Sequence, residues 1–369
     1  MQIGVPKEIK DHEYRAGLTP ESVREFVAHG HQVMIETQLG AGIGATDAVY
    51  REAGAEVVDT AAEVFERSEM IIKVKEPQPN ECRMLREGQV LFTYLHLAPD
   101  LQQTQLLIES GATAIAYETV THGRSLPLLA PMSEVAGRLA VQAGAHCLEK
   151  ANQGRGVLLG GVTGVAPAKV VVIGGGVVGN NSAFVAAGMG ANVTILDNSI
   201  DRLRELDVQY GGRVNCLFSN SAAIEENVLQ ADLVIGAVLL AGAAAPKLVT
   251  RDMIRDMVPG SVVADVAIDQ GGCLETARAT THSDPTFIID DVVHYCVANM
   301  PGAVPRTSSY ALNNATLPYA LKLANLGWQA ALRNDKGFLE GLNVHKGAIT
   351  CEAVSIAHGM EFVAPETFV

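Results

Sequence analysis

Charged side chains are scarce in this 369-residue chain, at 18% against the ~25% usual for soluble domains. Basic residues are the scarcer sign: 27 Lys and Arg face 41 Asp and Glu, a net charge of −14 with histidines neutral. Nucleic acid and anionic membrane surfaces are recognised through clustered Lys and Arg, so neither is expected as a partner. Closely spaced cysteines are also missing. Cys82, Cys147, Cys216, Cys273, Cys296 and Cys351 include no C-x-x-C spacing, so neither a zinc site nor a disulfide framework is indicated. Scattered single cysteines read as small buried hydrophobes in a reducing compartment. The amino terminus, MQIGVPKEIKDHEYR, is charged within its first turn and has no long apolar core, so no signal peptide is expected and a cytoplasmic location is. The only long uncharged run, Val170 to Leu196, contains Gly174-Gly175-Gly176 and three asparagines, and reads as strand, turn, helix and strand rather than a membrane span. No internal repeat or low-complexity segment is visible.

What is present is apolar residues, 48% of the chain, and 36 glycines. That apolar content excludes disorder, and the length corresponds to about two domains at ~150 residues each. In the first hundred or so residues, strand-length apolar runs cover Ile3 to Val5, Gln32 to Glu36, Glu56 to Asp59, Met70 to Val74, Val90 to Leu95 and Thr113 to Tyr117. Helical patterns separate them. Thr19-Pro20 has the form of a cap with proline at the first helical position, and Thr60 and Glu63 have capping-box spacing. A long helical pattern from about Ser133 to Ala151 reads as a connection between domains. A second series follows, with strands expected at Val170 to Ile173, Asn192 to Leu196, Val214 to Leu217, Leu233 to Gly236, Val262 to Ala264 and Thr286 to Ile289. From Thr307, TSSYALNNATLPYALKLANLGWQAAL reads as one long helix, and a last helix is expected near Thr350 to His358. Such alternation implies α/β architecture, with mostly parallel sheets covered on both faces.

The most informative stretch is VVVIGGGVVGNNSAFVAAGMGANVTILD. Gly174-x-Gly176-x-x-Gly179, with Val177 and Val178 inside it, directly follows an apolar strand and opens a helix. The next strand ends in Asp197, 23 residues after Gly174, close to the ~20 of a dinucleotide fingerprint. Glycines permit the tight turn and close approach to a pyrophosphate, and the helix amino terminus favours phosphate charge. Asp197 would accept hydrogen bonds from ribose hydroxyls and repel a 2′-phosphate, favouring NAD over NADP. Arg202 tempers that preference, since it would welcome the phosphate. A βαβ unit without nucleotide shares the strand and helix but gives no reason for the acid in register.

Four ionisable residues stand in apolar or turn contexts. Arg15, before the first helix, has the planar fork that suits a carboxylate. Lys75 ends the strand MIIKVK, where an ammonium polarises a carbonyl oxygen. His96 follows VLFTYL and can act as acid or base near neutral pH. Asp269 lies just beyond a strand of the second series, where open α/β sheets bind ligands. Cations at strand ends are commonly just solvated and a lone histidine is commonly structural. Spacing alone does not tie the four together.

IGVPKEIK, YRAGLTP, KVKEP, FTYLHLA, APMSEVAGR, GVLLGGVTGV, the GGGVVG loop, DLVIGAVL, DVAIDQGGCLE and CVANMPGAVPRTSSYALNNATLPY together resemble the alanine dehydrogenase family over nearly the whole chain. The resemblance implies two Rossmann-like doubly wound domains: a discontinuous substrate domain, 1–128 plus 306–369, around an NAD-binding domain, 129–305. It implies reversible, NAD-dependent oxidative deamination of L-alanine to pyruvate and ammonium by a homohexamer. Arg15 and Lys75 would bind the substrate, with His96 and Asp269 as acid–base residues. Beside the glycine loop, cofactor contacts would fall on Ser133, Asp197, Arg202, Ser219, Val238, Leu239, Arg278, on Val266, Ala267, Ile268 and Asp269, and on Val297, Ala298, Asn299 and Met300.

The chain departs from the family pattern at Ala16-Gly17, where a bulkier pair is usual, and at Thr163, where proline is common. Lys322 and Leu326 stand where some members carry a Glu and a His as metal ligands, so no metal is expected. The nearest alternative is the soluble NAD(H)-binding subunit of a proton-translocating transhydrogenase, which shares the GVPKE and LTP opening. A lysine-forming saccharopine dehydrogenase would need additional basic residues for its larger substrate, and a non-catalytic NAD-binding protein would have no use for the Arg-Lys-His-Asp set.

Overall fold

The computed structural model describes residues 1–238 and 245–369. The chain divides into two compact units: unit 1 is Met1–Met132 with Val304–Val369, and unit 2 is Ser133–Ala303.

In unit 1 the expected β-branched runs form β1 (Gln2–Val5), β2 (Gln32–Glu36), β3 (Glu56–Val58), β4 (Met70–Ile72), β5 (Val90–Thr93) and β6 (Thr113–Ala116). In unit 2 they form β7 (Lys169–Ile173), β8 (Asn192–Asp197), β9 (Val214–Phe218), β10 (Leu233–Gly236), β11 (Val262–Asp265), β12 (Thr286–Ile289) and β13 (Val292–Tyr295); β14 (Leu342–His345) and β15 (Ala348–Ile349) return to unit 1. Unit 1 orders its strands β15-β14-β6-β5-β4-β1-β2-β3, and unit 2 orders its own β12-β13-β11-β10-β7-β8-β9. Both sheets therefore wind alike. The chain starts centrally, runs outward for two strands, then crosses back beside its first strand and runs outward on the other side. Strands β1 to β6 pair in parallel, as do β7 to β11 and β13.

Central strands buried on both faces explain the near-continuous apolar runs. Ile71, Leu91 and Leu107 anchor one core cluster of unit 1, and Val171, Ile173, Val234 and Val263 one of unit 2. Thr19 caps the helix Pro20–Ala28 by accepting the Ser22 N–H, and Thr60 caps Ala61–Arg67 by accepting that of Glu63. The long uncharged run resolves into β7, the helix Val177–Gly188 and β8. Among the described residues no helix is long and apolar enough to cross a membrane.

Two expectations need correction. β12 is not a further parallel strand but one arm of an antiparallel hairpin with β13, which the alternation did not reveal. Its two-residue turn, Asp290-Asp291, holds both residues at positive φ, the type I′ geometry more often signalled by Asn-Gly or Asp-Gly. The same turn at Lys346-Gly347 joins β14 to β15. The long carboxy-terminal helix is broken: Gly327, at φ 75° and ψ 151°, separates Pro305–Leu326 from Trp328–Arg333.

Candidate active site

The reversal of strand order leaves a crevice outside the carboxyl ends of the flanking strands, where open α/β sheets bind ligands. In unit 2 that position lies between β7 and β10. Gly174, at φ 99°, makes the turn after β7. A Cβ on Gly179 would lie 1.8 Å from the Gly174 carbonyl oxygen, whereas one on Gly176 would meet nothing within 4 Å. Gly176 begins the helix Val177–Gly188 without a side-chain cap, where first-turn N–H groups have no intrahelical acceptor. Asp197 accepts the N–H of Gly175 at 2.7 Å and of Ser199 at 2.8 Å, which fixes its carboxylate beside the glycine turn. Arg202 is fixed there too, donating from Nε to the Gly175 carbonyl at 2.7 Å and pairing with Glu205 at 2.5 Å.

The remaining segments reach the same edge of the sheet. Ser219 follows β9 and donates its N–H to Asp197 O at 2.9 Å. Val238 follows β10; Leu239 lies outside the described residues. Val266, Ala267, Ile268 and Asp269 form the turn after β11. Asp265 shapes that turn from within, accepting the N–H of Ala267 at 3.1 Å, Cys273 at 2.8 Å and Leu274 at 3.2 Å. Its burial raises its pKa despite those three donors. Asp269 is exposed at the crest, while Ala267 packs into the core. Val297, Ala298, Asn299 and Met300 follow β13, with Asn299 at φ 62°. Ser133 opens unit 2 on the helix Ala130–Cys147. Arg278 stacks its guanidinium over Phe287, 4.2 Å from the ring centroid.

Unit 1 presents its ionisable residues at the corresponding edge, around β1 and β4. Arg15 is only 2% exposed and is gripped by Glu13: Nε donates to Oε1 at 2.7 Å and Nη2 to Oε2 at 2.5 Å. Nη1 lies 3.1 Å from the Met132 sulfur. Burial works against the charge, but Glu13 outweighs it, so the pKa of Arg15 lies above its usual value. The loop is tied to the carboxy-terminal helix by Ala16 N–H to Ser309 Oγ (3.0 Å) and Thr19 N–H to Asn313 Oδ1 (3.0 Å).

Lys75 follows β4. Its N–H donates to Glu8 Oε1 at 3.2 Å, its carbonyl accepts Thr93 Oγ1 at 3.0 Å, and its ammonium is 4.0 Å from Glu76. Glu76 also contacts Lys10; burial opposes its charge, but Lys75 and Lys10 hold its carboxyl below the usual range.

His96 follows β5 in the left-handed region, at φ 49°. Glu118, just after β6, accepts the His96 N–H at 2.6 Å and the Leu95 N–H at 3.1 and 3.2 Å, and lies 3.9 Å from His96 Nδ1. The imidazole stacks on Tyr94 at 5.7 Å. Tyr94 is buried, donates to Leu128 O at 2.5 Å and is close enough to Arg15 to feel its charge. Tyr94 and Glu8 both lie close enough to Arg15 to interact with its charge, and Glu8 also accepts the Lys75 N–H. Asp269 belongs to the other unit. Sequence reasoning missed the carboxylates Glu8, Glu13 and Glu118. The available signals were the Glu13-x-Arg15 pair and an acid just past the strand that neighbours the one before His96.

Family models described as Alanine dehydrogenase/PNT, N-terminal and C-terminal domain, match residues 4–136 and 140–352. The chain belongs to the alanine dehydrogenase/PNT family. It is 59% identical to the alanine dehydrogenase of Halomonas elongata over 98% of both chains, and 55% identical to that of Mycolicibacterium smegmatis over 96% of both. A solved L-alanine dehydrogenase superimposes with a TM-score of 0.94 at 54% identity, covering 97% of this chain and 99% of that one. A transhydrogenase structure from Sinorhizobium meliloti follows the same fold at TM-score 0.83 but 25% identity, covering 95% of this chain and 100% of that one. Within the family, similarity thus runs to the dehydrogenases rather than the transhydrogenase. Lys322 pairs with Asp335 at 3.2 Å. Among the described residues no group of three His, Cys, Asp or Glu is placed to hold a metal.

Proposed function

We propose that the chain catalyses the reversible NAD-dependent oxidative deamination of L-alanine to pyruvate and ammonium, unit 2 holding the dinucleotide and unit 1 the substrate. The observation that carries this reading is the braced Arg15, Lys75 and His96 set at the carboxyl edge of one sheet, in a chain whose other sheet presents a glycine turn and Asp197. The residues present fit NAD. The uncapped helix start at Gly176 and the open space over it suit a pyrophosphate, and Asp197 suits ribose hydroxyls.

In the aminating direction, Arg15 takes the pyruvate carboxylate with its fork held in orientation by Glu13. Lys75 polarises the carbonyl oxygen and stabilises its negative character as ammonia adds. His96 and Asp269 then move protons so that water leaves and an iminium remains. When bound, NADH supplies the hydride that reduces that carbon to L-alanine. The residues act chiefly by orientation and by charge set where the oxygen becomes negative.

The chain works in the cytoplasm as a homohexamer in this reading. Supporting self-association, a hairpin closed by Val162 and Val165 exposes Leu158, Val162 and Val165 by 67%, 59% and 63%, an apolar surface of the kind that marks contacts between proteins.

NADH consumption tests the reading with three mixtures: pyruvate plus ammonium, 2-oxoglutarate plus lysine, and neither. Loss of NADH in the first alone is expected. Tight NADH binding without turnover in any of them would favour the transhydrogenase subunit instead.

A further inference from the structure

Unit 1 buries an ionic cluster that the mechanism above does not use. The Lys73 ammonium, fully buried beyond β4, donates to Glu8 Oε2 at 2.9 Å and to Glu81 Oε1 at 2.8 Å. Two carboxylates therefore share one cation. Glu81 also accepts the Gln78 N–H at 2.8 Å, closing the cap of a short helical turn. It would remain as a neutralising partner for Lys73 if Glu8 lost its charge. Burial in fact raises the pKa of Glu8 above its usual value, against the pull of Lys73.

Its second oxygen has a different task. Glu8 Oε1 accepts the main-chain N–H of Val74 at 2.7 Å and of Lys75 at 3.2 Å. It does so from the loop after β1, 66 and 67 residues away, across the point where the strand order reverses. Buried N–H groups beyond the last ladder bond of a strand need such an acceptor. With Thr93 Oγ1 on the Lys75 carbonyl at 3.0 Å, the main chain of Lys75 is held on both sides.

We propose that Glu8 is a positioning residue for substrate binding: its Oε1 fixes the main chain from which Lys75 reaches the substrate oxygen, and this hydrogen-bonding reach, not its charge, is what the site requires. The inference rests on the reading of Lys75 as a substrate-binding residue. Two conservative variants separate reach from charge. Glu8→Gln keeps one oxygen at the same reach for the two N–H groups, loses the charge and turns its NH2 toward Lys73, whose ammonium retains Glu81; Glu8→Asp keeps the charge and draws both oxygens back by one carbon.

The measurement is pyruvate titrated into the full-length, NADH-loaded chain without ammonium, followed by NADH fluorescence, so that binding is read without turnover. Losing the acceptor of a buried N–H is worth about tenfold or more, so Glu8→Asp is expected to weaken pyruvate by about that factor and Glu8→Gln by much less. Because Glu8 acts through Lys75, adding Glu8→Asp to Lys75→Ala should change affinity by less than about twofold beyond Lys75→Ala alone. A merely structural role would instead multiply the two effects, and that result would overturn the proposal. So would a Glu8→Gln variant that binds pyruvate more weakly than Glu8→Asp. An unmutated chain that binds NADH but neither binds nor consumes pyruvate would show that the substrate assignment itself had failed, and the inference with it.

Discussion

His96 is a non-glycine residue at φ 49°, which makes strain and chemistry separable by two substitutions. A side chain in the left-handed region costs roughly 1–2 kcal/mol. Glycine avoids that cost but returns about 0.4–1 kcal/mol through its greater freedom when unfolded. Both His96→Gly and His96→Ala remove the imidazole and its stacking on Tyr94, and both keep the N–H that Glu118 accepts. The difference between them therefore isolates the backbone. His96→Gly should be the more stable by about 0.5–1 kcal/mol, or about 1–4 °C in the melting of a unit this size. Both should lose about 10²- to 10⁴-fold in turnover if the imidazole is an acid–base group. Differential scanning calorimetry beside the NADH assay reads the two quantities. An alanine variant at least as stable as the glycine variant would refute the strain argument, and near-normal turnover across pH would remove His96 from the chemistry.

Gly179→Ala places a Cβ 1.8 Å from the Gly174 carbonyl. The overlap should cost about 1–3 kcal/mol of stability, read by urea titration of the variant, and should weaken NADH binding in a fluorescence titration; unchanged values of both would refute the packing argument. His294 is fully buried, bonded to Thr276 Oγ1 at 2.8 Å and the Val292 carbonyl at 2.9 Å, and burial lowers its pKa from 6.5. The unfolded chain then takes up a proton before the folded one, so stability should fall as pH drops below 6.5 toward the lowered value. In urea titrations between pH 5 and 7.5, His294→Asn should flatten that slope, and an unchanged slope would count against it. Val162→Asp with Val165→Asp places charge on the exposed hairpin and should reduce the assembly size seen by light scattering.

Strand runs were legible because central strands buried on both faces must be apolar throughout, as with Val170 to Ile173 and Leu233 to Gly236. The hairpins were not, because Asp290-Asp291 and Lys346-Gly347 adopt a turn geometry their residue types announce weakly. Among the candidate residues, Arg15, Lys75, His96 and Asp269 stand out locally as ionisable groups beside apolar strands. Their braces do not. Glu8 meets Lys75 from 67 residues away and Glu118 meets His96 from 22, and strand order decides both pairings. The repeated winding of the two sheets is likewise invisible in the residues. It is a pattern of hydrogen-bonded neighbours, shared by segments with no visible repeat in sequence.

That common winding also explains how so acidic a chain would offer the proposed small-anion site. A doubly wound sheet gathers at one edge whatever follows its central strands. After β7 in unit 2 these are glycines and a helix start without a side-chain cap, which suit phosphate without any side-chain charge. After β1 and β4 in unit 1 they are two cations: Glu13 grips the Arg15 guanidinium, and Glu8 accepts the main-chain N–H of Lys75. Neutralising Arg15 with Glu13 weakens its long-range pull on anions but fixes the planar fork, so selection passes from charge to geometry. Glu13→Gln tests that trade. It keeps an oxygen for one guanidinium bond while removing the compensating charge, so pyruvate association should become faster and more sensitive to salt, at the expense of orientation and therefore of turnover. Stopped-flow fluorescence of the NADH-loaded chain at two ionic strengths reads the first effect and steady-state amination the second. Slower association in the variant would show that Glu13 attracts rather than orients, and would end the argument.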